Sequence, residues 1–170
     1  MLRIAPGRET RDLKLRGGSV VVTVDHADFV TRQAARFKAA EKIKQLRDGG
    51  EVLEEFGYSS EHHDALADKY IMMGFAELIF AVELGELIIR SWSGVVDPQD
   101  NPIEVTRAAI VAVMRQAASD FISAETEAAD KVTLEGNAFT SVPSGIGAGA
   151  QSTAKAVSPK EPTVQKDVGA

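Results

Sequence analysis

Residues 70–89 read YIMMGFAELIFAVELGELII. The stretch is as long as a membrane span, and how it is read decides the fold. Glu77, Glu83 and Glu86 lie inside it. A carboxylate at mid-bilayer costs about 2.5–3.5 kcal/mol on the insertion scale, and Gly74 and Gly85 weaken the helix further. The stretch therefore reads as part of a central buried helix whose glutamates mark a solvent face. That helix is expected over about residues 61–84, entered at Ser59-Ser60-Glu61 and ended or bent at Gly85.

Toward the N-terminus, residues 13–15 (LKL) alternate in polarity, Arg16-Gly17-Gly18 supplies a turn, and residues 19–24 (SVVVTV) are β-branched. These features predict a β-hairpin. Two strands alone are marginal, so the hairpin must lean on helices or on another subunit. Asp25 is a candidate cap for a helix from about Ala27 to Arg47, with Asp28 adding negative charge at its first turn. Phe29, Val30, Ala34, Phe37 and Ile43 recur near helical spacing and are expected to form its apolar face. Arg32, Arg36, Lys38, Lys42 and Lys44 fall on the other faces. Asp48-Gly49-Gly50 is a strong stop, and residues 51–58 read as a short connector anchored by Val52, Leu53 and Phe56.

Toward the C-terminus, Leu87, Ile88, Ile89 and Trp92 lead into Ser93-Gly94 and Val95-Val96. Asp97-Pro98-Gln99-Asp100-Asn101-Pro102 then predicts a turn, because proline fixes φ and Asx side chains bond local backbone. Residues 90–106 read as a structural corner in which Trp92 and Val95 pin the central helix to the returning chain. Thr106 is a candidate cap for a last helix from about Arg107 to Lys131, with a break near Ala117–Ser119. Ala109, Ile110, Val113 and Met114 form its apolar stripe. After Leu134 small residues, Ser, Thr and Pro dominate, and such a segment cannot offset its ordering entropy by burial. The expected class is α+β, mostly α. An N-terminal β-hairpin is followed by three to four packed helices in a domain over 1–135, and a disordered Gly/Ser/Ala/Pro tail occupies 136–170.

The formal net charge of −6 and the pI of about 5.1 argue against nucleic acid or an anionic membrane as partner. The basic residues of the first helix, including Arg47, are diluted by Glu41 and Asp48. They read as a solvated face or one that meets an acidic partner. The absence of cysteine excludes a disulfide scaffold, a thiolate zinc site and a cysteine nucleophile. MLRIAPGRETRDLKLRGG lacks an apolar core, so no secretory signal is expected there. His62-His63 point about 100° apart on a helix and His26 is remote, so a metal site with Asp64 and Asp68 is not expected. Glu54, Glu55, Glu77, Glu83 and Glu86 have no legible partner base or nucleophile. GIGAG at 145–149 lacks the strand before and the helix after that a phosphate loop requires. The chain is accordingly expected to be a non-enzyme without cofactor or metal.

The segment LGELIIRSWSGVVDPQDNPIEVTRAAIVAVMRQAASDF resembles a stretch of small tailed-phage proteins, in which an apolar helix end, a Trp and a Gly-Val-x-Asp step precede a Pro turn and a helix. EGNAFTSVPSGIGAGAQSTA is similar to the polar, small-residue end of the same proteins, and LKLRGGSVVVTVDHADF fits their start. The family is the tail assembly chaperones of long-tailed, non-contractile bacteriophages. The resemblance covers residues 10–155 in layout and is most specific over 85–150; KEPTVQKDVGA falls outside it. It implies a chaperone that binds the helical tape-measure protein, with the tail tube protein as a second candidate partner and a homo-oligomer as a candidate state. The expected location is the host cytoplasm, or the virion if the protein is instead a structural tail, neck or head-associated component. An apolar groove suits helix-in-groove binding. Trp92, Val95, Phe75 and Ile79 are the residues expected to contact the partner.

Overall fold

The computed structural model describes residues 9–49 and 51–138. Its elements are β1 (Thr10–Leu15), β2 (Val20–Asp25), α1 (Phe29–Asp48), α2 (Glu51–Glu55), α3 (Lys69–Ile88), β3 (Ile89–Ser93) and α4 (Arg107–Ala138). The chain is thus mostly helical with an N-terminal antiparallel hairpin, as its residue pattern predicts. Of the tail expected over 136–170, residues 136–138 are the end of α4, and the rest lies outside the described residues.

The hairpin gains a third strand that was not expected. β3 pairs antiparallel with β2, giving the order β1-β2-β3, with an irregularity between Thr23 and Val24. The apolar run 87–92 is helix and strand in succession: α3 passes through Gly85 to Ile88, and Ile89 opens β3. A short apolar run has no period that separates the two states. Leu13 faces Val22 and Leu15 faces Val20, while Val22 and Val24 face Trp92 and Ile89. Leu13, Leu15, Val22, Val24 and Ile89 are buried on one side of the sheet, each stabilising the fold by about 1.5–3 kcal/mol.

The C-terminal half of α3 is the central element, with Leu78, Ile79, Val82, Leu84 and Ile88 buried. The expected helix over 61–84 is in fact divided. Ser60–Ala67 forms a 3-10 segment, and Asp68 starts a new helix by accepting from the backbone N–H groups of Tyr70 (2.7 Å) and Ile71 (3.3 Å). Gly85 stays helical because α4 packs on it. A Cβ there would lie 3.3 Å from Ile110 Cγ2 and 3.4 Å from Met114 Cε.

The first helix is rotated relative to expectation. Asp28, not Asp25, is its cap, accepting from Thr31 N–H at 2.7 Å. Asp25 is buried and ion-paired with Arg90. The inner face of α1 carries Ala35, Ala39 and Leu46, whereas Phe29, Val30 and Phe37 are 75%, 71% and 75% exposed. Small residues allow α1 to lie close to its neighbours. Two cations also turn inward: Arg32 to Glu125 and Lys42 to Glu55.

The glutamates of α3 are not a uniform solvent face either. Glu83 is 3% exposed, while Glu77 and Glu86 are exposed. Arg107, in the first turn of α4, binds Glu83 at 2.7 Å and Glu55 at 2.6 Å, and also reaches Glu86. One guanidinium therefore ties α2, α3 and α4. α4 carries Thr106 Oγ1 at its start, accepting from Ala109 N–H at 3.2 Å, and it breaks at Ala117 (φ −143°, ψ 19°), within the span expected. It runs on past Lys131 to Ala138.

Arg107→Ala leaves Glu83 buried and uncompensated, and urea denaturation should show a loss of about 3–5 kcal/mol. Acid stability reports the same network through Glu55. Burial raises its carboxyl, but hydrogen bonds from Lys42 and Arg107 outweigh that and hold it below the usual carboxylate range. These bonds stabilise fully above the unfolded value of about 4.3 and are lost as pH falls through the lower folded value. Glu55→Gln should therefore make stability fall less steeply below about pH 4 in pH-dependent melts.

Candidate functional site

The inner face of the sheet runs out at Val20, which is only half-buried. Past it the core opens into a groove of about 340 Å³. One wall is the first part of α4, with Ala109, Ala112 and Val113. The other is the loop after β3, with Val95, Val96 and Ile103. Arg16 and Gln116 stand at the polar end. The apolar stripe of α4 that the sequence shows thus serves two surfaces: Ile110 and Met114 are buried, and Val113 lines the groove.

The loop holds its own shape. Ile103 N–H donates to the Val95 carbonyl at 3.1 Å, and Val96 bridges Pro102 in antiparallel fashion. Asp97 Oδ1 accepts from Gln99 N–H at 2.8 Å and Asn101 N–H at 2.9 Å. The Asn101 amide, foremost, and these backbone donors hold the Asp97 carboxyl below its ordinary range. Trp92 ties this loop to the sheet. Its indole N–H donates to the Ile103 carbonyl at 2.6 Å, and its half-buried ring packs against the core. Gly94 makes the bend between strand and loop at φ +81°, where a Cβ would lie 2.1 Å from the Ser19 carbonyl oxygen.

Of the four residues expected to contact a partner, two meet here. Val95 lines the groove, and Trp92 positions its outer wall. Phe75 lies elsewhere, in an open cavity of about 490 Å³ between α3 and α4, where its ring is 4.7 Å from that of Tyr58. Arg115 sits 4.5 Å over the Tyr58 ring, and Glu77 and Asp120 add charge to the rim. Ile79 is fully buried in the core and has no surface to offer. No family model matches the chain, and no curated protein or solved structure matches it.

The lining of the groove is mainly apolar, with Arg16, Ser19 and Gln116 as its polar side chains. His63 Nε2 lies 3.0 Å from the Leu46 carbonyl and His62 Nδ1 lies 3.2 Å from the Ser59 carbonyl, so the histidines serve local structure. Among the described residues, no group of three or more His, Asp or Glu is placed to hold a metal ion. No described helix is long and apolar enough to cross a membrane. Sequence reasoning missed Val20, Ile103, Ala109 and Ala112 as groove residues. They come from three separate elements, and only the pairing of β3 with β2 assembles them. It also missed the outward Phe29, Val30 and Phe37, whose spacing reads as a core face until the inward cations are known.

Gly94→Ala brings both an unfavourable φ and a backbone overlap, and a thermal melt should show a loss of at least about 2 kcal/mol. Trp92→Phe keeps most of the packing but removes the donor to Ile103. It should cost about 1 kcal/mol in the same melt and loosen the loop, read as faster amide exchange at Ile103.

Proposed function

We propose that this chain is a non-enzymatic tail assembly chaperone that holds apolar segments of the tape-measure protein soluble in the host cytoplasm until tube protein polymerises around it. The observation that carries this reading is the groove between α4 and the loop after β3. It is apolar along both walls and fixed by Trp92 and Gly94. A site of this form suits one face of an amphipathic helix, whose apolar residues recur every three to four positions. Its position also suits the resemblance, since the walls come from the segment that carries it. Acidity contributes as well: a client covered by a chain of net charge −6 stays repelled from its neighbours.

The test is co-expression with a tape-measure protein, which this reading expects to be encoded beside the chain. Wild-type chain should raise the soluble fraction of the client. Val96→Asp and Ala112→Asp, both at exposed positions on the groove walls, should abolish that effect while leaving the thermal melt unchanged. An undiminished soluble fraction with both variants would remove the groove as the client site. Mass spectrometry of purified particles beside infected-cell lysate tests the role itself. A chaperone is present in lysate and absent from particles, whereas a stoichiometric particle signal makes the protein a structural virion component.

A further inference from the structure

Taking the groove as the client's binding site, as proposed above, we infer that Arg16 sets its specificity: the segment it accepts is a helix with an apolar face and a carboxylate just past the end of that face. Among the described residues that line the groove, Arg16 alone carries a charge. The α4 wall is Ala109, Ala112, Val113 and Gln116, spaced as one face of a helix, so it runs for about 10 Å, or two turns. Arg16 stands at one end of that length, beside Gln116.

The backbone fixes the side chain in this place at a cost. Arg16 has φ +52°, in the left-handed region that favours glycine. Its N–H donates to Asp120 Oδ2 at 3.1 Å, and its carbonyl accepts from Ser19 Oγ at 3.0 Å. A plain hairpin turn would be better served by a third glycine beside Gly17 and Gly18. Strain of this kind is kept where the side chain has a task. Within the chain that side chain gains little. Its Nη1 donates to Gln116 Oε1, a neutral amide oxygen. Asp120 is taken up by the Arg16 backbone and not by its guanidinium. Among the described residues Nε and Nη2 of Arg16 meet no acceptor, and no carboxylate pairs with it. Nε and Nη2 are one side of the guanidinium fork, the side that grips a carboxylate with two N–H donors. The same two atoms hold Asp25 on Arg90 and Glu55 on Arg107. An occupant with a carboxylate at this end answers the charge. One with a lysine there is repelled.

The probes are three synthetic helical peptides with leucine at every third or fourth position. They carry glutamate, glutamine or lysine at both ends of the leucine stripe, so the direction of binding does not matter. Binding to the full chain is read by fluorescence polarisation. The wild type should bind the glutamate peptide about fivefold more tightly than the glutamine peptide, and the lysine peptide least. Added salt should narrow the difference. Arg16→Gly keeps the turn, because glycine suits that φ, and should bind the glutamate and glutamine peptides equally. Arg16→Glu should reverse the order, which a merely structural role for the side chain would not do. Equal binding of all three peptides by the wild type overturns the inference and leaves the groove as the client site. So does a glutamate preference that survives Arg16→Gly. Absence of binding by every peptide, or binding that Ala112→Asp does not weaken, removes the groove as the client site and this inference with it.

Discussion

Glu125 is 2% exposed, far along α4, and it is held by two arginines. Arg11 from β1 donates at 2.9 Å and Arg32 from α1 at 2.8 Å, and Arg11 also reaches the Glu125 main-chain carbonyl at 3.2 Å. A buried carboxylate is tolerable only with such partners. The requirement fixes more than one contact. It joins the first strand to the last helix beyond the break at Ala117, and it sets the rotation of α1. With Arg32 turned toward Glu125 and Lys42 toward Glu55, the opposite side of the helix must carry whatever else the sequence holds. What it holds is Phe29, Val30 and Phe37.

The same logic repeats around Arg107. Glu83 lies in the most apolar helix of the molecule, where a carboxylate is expected to point to water. It points instead to a cation that arrives with the next helix. Two buried carboxylates answered by arginine, Glu125 and Glu83, join β1, α1, α3 and α4, and the more exposed Glu55 adds α2 through the same Arg107. Between them the core is aliphatic side chains packed around Phe56 and Phe121.

Local rules of sequence were enough to read the hairpin, the stop after Asp48, the Asx turn at 97–101, the cap at Thr106 and the break near Ala117. Each depends on residues close in the chain. Two of the three larger departures depend on partners elsewhere in the chain. β3 exists because β2 offers it an edge, and its residues alone look like the end of a helix. The inward cations of α1 are explained by Glu125 and Glu55, which lie 93 and 13 residues away from Arg32 and Lys42. The break at Asp68 was legible, because Asp is a good cap, but the apolar run after it hid the signal. Of the candidate site, Trp92 and Val95 were visible as an aromatic and a valine beside a turn. The wall opposite them required the tertiary fold.

The loop after β3 satisfies its polar groups internally. Asp97 and Asn101 close the turn, and the Val96–Pro102 bridge seals its base. Its tip, Pro98 to Asp100, therefore answers to nothing in the sheet. Exchanges of the exposed side chains at Pro98 and Gln99 leave the anchors at Gly94, Trp92 and Ile103 in place. The wall of the groove, made by Val95, Val96 and Ile103, thus keeps its shape independently of the side chains that the tip carries.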